Sequence, residues 1–285
     1  MNRRQAIKHI GMLTAPAMVP SLLTSRTLST GFQIGACDWS IGGLGQVSAL
    51  ETAKAIGLDG IQVSLGTLAD DMHLRRHEVQ QRYRETAAAT GVRIGSLAIG
   101  ELNNIPYKSD PRTETWVSDS IDVAVALGCK VILLAFFGDG DLKNDQPGQR
   151  EVVRRLRRVM PKAERLGVYL GIESWLSAEE HVDIIQAVGS ANLKVYYDVA
   201  NSHQMGYDIY REIRWLDSYI CEIHMKENGA LLGQGAVDFR KVRQALDAIG
   251  YRGWMHIEGA IPKGADTVAS YRANRDFLRK IFPSS

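Results

Sequence analysis

The chain is poor in cysteine, with only Cys37, Cys129 and Cys221 in 285 residues. An odd number of cysteines does not indicate a disulfide framework. Each lies in or beside a strand-like run, where a free thiol behaves as a small buried hydrophobe. Long apolar runs are also missing. None reaches the roughly 18 residues that a membrane-spanning helix needs, so stable membrane insertion is not expected. Acidic residues are absent from the first 31 positions, which carry Arg3, Arg4, Lys8 and Arg26. The formal charge of +2 is therefore misleading. Taking those four from the 34 basic residues leaves 30 against 32 acidic ones, or −2 for the remainder. A mildly acidic body gives no electrostatic reason to bind nucleic acid. No glycine-rich fingerprint follows the first strand-like run, which argues against a dinucleotide site.

What is present suits one large α/β domain: 45% of the residues are hydrophobic and 23% charged. One local pattern recurs. A helical stretch rich in Ala and Leu stops at a glycine, and a β-type run begins within a few residues. It stops at Gly57, Gly91, Gly128, Gly167, Gly189 and Gly250, where glycine supplies the left-handed cap that other residues resist. The runs GIQVSLG, VRIGSLAIG, KVILLAFF, VYLGIE, LKVYYD and GWMHIE follow. With FQIGACD before them and YICEIH near the end there are eight. Between them Val152, Leu156, Val159 and Ala163 fall on one helical face, and Val117, Ile121 and Val125 on another. Pro161 predicts a kink or restart. The Arg150–Arg158 cluster reads as a solvated helix face, and so do His73 and His77, four apart. Eight strand–helix alternations predict a (β/α)8 TIM barrel over 32–285, with a doubly wound open sheet as runner-up.

Residues 1–31 read as a leader. The basic start MNRRQAIK precedes a weakly apolar stretch and a Ser/Thr-rich tail. The Arg3–Arg4 pair resembles a bacterial twin-arginine export signal. Export would place the protein in the periplasm; without it the chain would be cytoplasmic.

Four consecutive runs end on a metal-capable side chain: Glu173, Asp198, His224 and Glu258. Their spacings of 25, 26 and 34 residues are about one strand–helix unit each. In a barrel they reach the same, C-terminal end of the sheet. Three carboxylates and one imidazole make a hard site for one divalent ion. Mn²⁺, Mg²⁺ or Co²⁺ suit it, whereas Zn²⁺ more often gathers extra His or Cys. Side chains alternate along a strand, so Gly171, Tyr196, Glu222 and His256 lie one layer deeper. Tyr196, Glu222 and His256 are candidates to orient the ligands. Asp38 and Trp39 close the first run, and Trp175 and His203 follow later ones. All four are candidates for contact with a substrate, with Ser64 and Glu101 as weaker ones. Gly233 and Gly235 either shape a loop beside Lys226 or make a turn.

The ordered set GIES, YYDVAN, IHMKEN with LGQGAVDF, and HIEG resembles the sugar phosphate isomerase/epimerase family of xylose isomerase-like barrels, which includes the ketose 3-epimerases. The resemblance covers about 32–282. It implies that Glu173, Asp198, His224 and Glu258 hold the metal, that Glu173 and Glu258 also handle protons, and that Lys226 lies near the substrate. It also implies a sugar or keto sugar as substrate and a homo-oligomer. Several 3-epimerases carry a His three residues after the Asp ligand; here that position is Asn201, and His203 follows two later. The YYDVAN form looks more like phosphosugar-type members, so the substrate class stays open, although export favours an unphosphorylated sugar.

The expected chemistry is proton removal beside a carbonyl to give an enediolate. Return of a proton to the other face is epimerisation, and return to the neighbouring carbon is isomerisation. Loss of a β-leaving group from a 3-keto-glycoside would use the same site. A non-catalytic sugar-binding barrel is a further alternative. A barrel cutting DNA at abasic sites, resembling endonuclease IV, would need several metals and many His ligands. Only His203, His224 and His256 are well placed here.

Overall fold

The structure, a computed structural model, describes residues 31–284. The proposed leader, save Gly31, lies outside them.

Eight parallel strands close into a barrel in sequence order, the first pairing with the last. They are β1 Gln33–Cys37, β2 Gly60–Ser64, β3 Arg93–Ile99, β4 Val131–Phe136, β5 Tyr169–Ser174, β6 Leu193–Asp198, β7 Ile220–Lys226 and β8 Trp254–Glu258. Each falls on a run read from the sequence, so the open-sheet alternative is excluded. The helices are α1 Ala49–Ile56, α2 His77–Thr90, α3 Arg112–Leu127, α4 Gln146–Leu166, α5 Ala178–Val188, α6 Val199–Gln204, α7 Ile209–Leu216, α8 Phe239–Ala248 and α9 Thr267–Ile281. Five of the six glycine stops are left-handed C-caps, at φ 67° to 86°. Gly250, φ 64°, lies one residue past the sixth cap, Ile249.

The main apolar core lies between strands and helices. Inside the barrel is a smaller cluster of Ala98, Val131, Leu133, Ala135 and Tyr196. Many of the other interior positions are polar, and register explains why they meet. Asp198 is level with His224, His224 with His256, Lys226 with Glu258, and Gln62 with Ser96. Each of these side chains faces the barrel axis, where a buried polar atom must find a partner.

Some local expectations fail. Pro161 sits inside an unbroken α4, with no restart. Val125 is 49% exposed, whereas Val117 and Ile121 are buried. His73 is buried in a short 3-10 turn, and only His77 begins α2 on the exposed side. In the arginine cluster Arg150, Arg154, Arg157 and Arg158 are exposed as expected, but Arg155 is buried and paired with Glu151 and Glu114.

Candidate functional site

Strands β5 to β8 each deliver one side chain to the barrel mouth. Ligand-capable atoms of Glu173, Asp198, His224 and Glu258 all lie within 4.8 Å of one another. His224 is at the centre. Its Nδ1 is 2.8 Å from Glu173 Oε1, 3.6 Å from Glu258 Oε2 and 3.9 Å from Asp198 Oδ2. Two ligands on one ion lie at most about 4.4 Å apart at bond lengths near 2.0–2.2 Å, so a small contraction would close the set. The donor chemistry fits. Asp198 accepts the Ala200 and Asn201 N–H groups of α6 through Oδ1, both at 2.8 Å. Its Oδ2 is buried without a hydrogen-bond partner. A buried carboxylate oxygen without a hydrogen bond, facing an imidazole nitrogen, two further carboxylates and, at 3.5 Å, the Lys226 ammonium, is a place for a cation.

The other side of His224 is equally fixed. Its Nε2 lies 2.8 Å from Gln62 Oε1 and 3.3 Å from Cys37 Sγ. The Gln62 amide donates to Ser96 Oγ at 3.1 Å, and its Oε1 also accepts from Cys37 Sγ at 3.3 Å. His224 donates from Nε2 to Gln62 and from Nδ1 to Glu173, and with the Nε2 proton anchored on Gln62 it is Nδ1 that would give up its proton and offer a lone pair to a metal. Sequence reasoning missed Gln62, Ser96 and Cys37. The available signal was a glutamine at an inward position of an otherwise apolar strand, GIQVS.

The residues expected to orient the ligands behave differently. Tyr196 packs against the His224 ring, centroids 4.6 Å apart. Its hydroxyl pairs with His256 Nδ1 at 3.0 Å. Glu222 is served by the Ser96 and Tyr196 hydroxyls, and its Oε2 is 3.5 Å from His256 Nδ1 without hydrogen-bond geometry. Glu222 and His256 thus form a deeper layer joined to His224 through Tyr196 and through Gln62 and Ser96.

Electrostatics follow from burial and crowding. Burial pushes the Asp198 carboxyl up to about 7; Lys226 opposes this, while Glu173 and Glu258 add to it. Burial also acts on Glu258, but His224 and Lys226 outweigh it and hold the carboxyl down at about 2. Lys226 Nζ is 2.8 Å from Glu258 Oε2 and 3.5 Å from Asp198 Oδ2. Trp39 Nε1 donates to Glu258 Oε1 at 2.8 Å. Burial would lower the His224 imidazole, yet Cys37, Glu173 and Glu258 raise it well above its ordinary value. Burial pushes the Glu222 carboxyl up to about 8 and His256 well down, which leaves this deeper layer neutral.

Above the four residues opens a cavity of about 410 Å³. Trp39, Trp175, Lys226, Ser64 and Glu101 line it, as the sequence suggested. Asp38 does not. It is fully buried, and its Oδ2 accepts the N–H groups of Ser64 at 2.9 Å and Gly45 at 3.2 Å. It ties the loop after β1 to the end of β2 instead of reaching a substrate. His203 lies on the exposed side of α6 and does not line the cavity. Asn201 does, together with Asn103, Asn104 and Phe137, which the sequence reading did not single out as contacts. Gly235 packs against the Glu227 carboxylate, whose oxygens hold the Ala236 and Val237 N–H groups, so the glycine pair shapes the loop after β7.

The comparisons agree with this fold. D-psicose 3-epimerase from Enterocloster bolteae is 22% identical over 245 residues, 80% of this chain and 81% of that protein. 2-epi-5-epi-valiolone 7-phosphate 2-epimerase from an Actinoplanes species is 26% identical over 226 residues, 75% and 82% respectively. The solved structure of D-psicose 3-epimerase with D-tagatose from Clostridium cellulolyticum superposes with a TM-score of 0.75 at 20% identity, covering 88% of this chain and 99% of that one. Residues 50–281 match the family described as xylose isomerase-like TIM barrel, a span from α1 to the end of α9 that carries all four candidate ligands. With most of the barrel matched and its strand order intact, the chain belongs to the xylose isomerase-like TIM barrel family.

Proposed function

We propose that this protein is a divalent-metal-dependent epimerase or isomerase of a sugar or keto sugar, working by proton transfer next to a carbonyl. The observation that carries the reading is the convergence of Glu173, Asp198 and Glu258 on His224, with Asp198 Oδ2 buried and without a hydrogen bond. The epimerase names of the curated relatives support the reaction class. One ion held by these four, Mn²⁺ by preference with Mg²⁺, Co²⁺ or Zn²⁺ as alternatives, would supply positive charge beside the carbonyl oxygen.

The protein's own residues do the rest. Glu173 lines the cavity and hydrogen-bonds, among the described residues, only to His224, so its carboxylate is available as a base. Glu258 is held ionised from both sides by Lys226 and Trp39 and serves the opposite face. Proton removal by one and return by the other inverts the carbon; return to the neighbouring carbon isomerises the sugar. Trp39 and Trp175 give the sugar ring apolar faces, and Asn201 and Lys226 offer polar contacts. Elimination from a 3-keto-glycoside would begin with the same proton removal. In this reading the first 31 residues are a twin-arginine leader and the enzyme is exported.

The test is hydrogen exchange in D₂O with the Mn²⁺-loaded protein and a panel of ketoses and keto-glycosides, followed by proton NMR. The reading requires metal-dependent loss of the signal beside the carbonyl, abolished in Glu173→Gln and Glu258→Gln. Metal-loaded protein that exchanges nothing, or variants that exchange like the parent, would refute it.

A further inference from the structure

The relatives include enzymes named for a phosphorylated and for an unphosphorylated substrate, and the mouth of the barrel distinguishes the two. We infer that this site takes an uncharged sugar or glycoside, one carrying no phosphate or carboxylate, because the helix starts that follow β4 to β8 are filled by the chain's own side-chain oxygens and the one cation lining the mouth among the described residues is already paired. The inference rests on the proposed function and narrows its substrate.

Phosphate is held in barrels of this kind by the N–H groups of helix starts, above all in the loops after the seventh and eighth strands. Here those starts are occupied. Asp238 takes the Arg240 and Lys241 N–H groups of α8 at 3.0 and 3.2 Å. Asp266 takes the Ala269 N–H of α9 at 2.7 Å. In the loop after β7, the Glu227 carboxylate takes the Ala236 and Val237 N–H groups at 3.2 and 3.1 Å. The helices following β4, β5 and β6 are closed in the same way by Asp145, Ser177 and Asp198. Helices α1 to α3 lack side-chain caps, but none of their residues lines the cavity.

The charge of the wall agrees. Glu101, Glu173 and Glu258 face the cavity, and Lys226 is the only cationic side chain lining it among the described residues. Lys226 is already committed to Glu258 and Asp198. Among the described residues no arginine lines the cavity to form the forked contact that phosphate favours. Opposite the carboxylates, β3 and β4 present Ala98, Leu133 and Ala135, followed by Phe137. A phosphate placed there would lose its water against these apolar side chains and meet no cation. The same wall suits the C–H face of a sugar or an apolar substituent.

The experiment uses matched pairs with the Mn²⁺-loaded enzyme: fructose with fructose 6-phosphate, ribulose with ribulose 5-phosphate, and a methyl 3-keto-glucoside with its 6-phosphate. Like-charge contact costs several kcal/mol, and each 1.4 kcal/mol is tenfold. In every pair that reacts, kcat/KM should be at least about 100-fold higher for the neutral member. A phosphorylated member that reacts as fast or faster would overturn the inference and leave the proton-transfer reading standing. If no pair reacts, the proposed function fails, and calorimetry of the metal-free protein with inorganic phosphate decides this point by itself. No saturable binding in the millimolar range supports the inference, and saturable binding overturns it.

Discussion

Replacing Gln62 with methionine tests how His224 is held. The side chains are similar in length, so the interior of β2 stays filled, but the acceptor for His224 Nε2 at 2.8 Å and the donor to Ser96 Oγ at 3.1 Å both disappear. Each buried hydrogen bond contributes about 1 kcal/mol net, and each group left unpaired costs about 1–3 kcal/mol. Methionine regains part of this by burying apolar surface, so the expected loss of stability is about 2 kcal/mol. The larger effect is on the metal. Without Gln62 the Nε2 proton loses its acceptor, so the ring is no longer held with Nδ1 as the atom that gives up its proton among the carboxylates when a metal binds. Loss of such a supporting partner costs about 10- to 100-fold in metal affinity. Cys37 Sγ, 3.3 Å from Nε2, is a weak substitute acceptor, which places the effect towards the tenfold end. Mn²⁺ affinity by calorimetry and stability by denaturant titration read both consequences. Parental Mn²⁺ affinity in Gln62→Met would show that Gln62 does not orient His224.

Three further outcomes follow from particular contacts. Trp39→Phe removes the 2.8 Å bond to Glu258; hydrogen bonds to charged groups contribute about 1.5–3 kcal/mol, so kcat/KM should fall by about 10- to 100-fold with the fold intact, and unchanged kinetics would remove Trp39 from the site. His181 is pushed down to about 4 by burial between Ser174 and Ser177. The unfolded chain therefore binds a proton between about pH 6.5 and 4 that the folded one refuses, and stability should fall by about 3 kcal/mol as pH drops through that window. Denaturant titrations should show this slope flattened in His181→Gln, and parallel curves would contradict the assignment. Gly60→Ala would drive a Cβ into the Trp254 ring and to 2.6 Å from the Arg93 carbonyl oxygen. Overpacking against backbone costs about 1–3 kcal/mol, so Tm should drop by several degrees, and a parental Tm would mean that β2 has room to shift.

The barrel was legible because its signals are local. Glycine stops, strand-like runs and their spacing need no knowledge of the far side of the fold, and all eight strands fall where these placed them. The four metal-capable residues were legible for the same reason, each standing at the end of its own strand. What escaped depends on closure or on the first residue of a loop. Gln62 meets His224 across 162 positions, a contact set by register around the ring. Asp38 ends the first run, but the chain turns there into a 3-10 turn and its carboxylate bends back onto Ser64 and Gly45. His203 was placed by proximity to Asp198, yet the rotation of α6 carries it outward while Asn201 faces the cavity. Pro161 failed as a breaker because α4 continues around it, anchored by Val159, Met160 and Ala163 in the core. Tertiary packing of that face outweighs the lost backbone bond.

The most direct test of the central claim is Mn²⁺ binding to ¹⁵N-histidine-labelled protein followed by electron paramagnetic resonance. The account predicts one ion per chain, coupled to a single imidazole nitrogen, Nδ1 of His224, with the coupling lost in His224→Gln and the affinity collapsed in Asp198→Asn. Substoichiometric binding, coupling to a second histidine, or an unchanged spectrum in His224→Gln would contradict it.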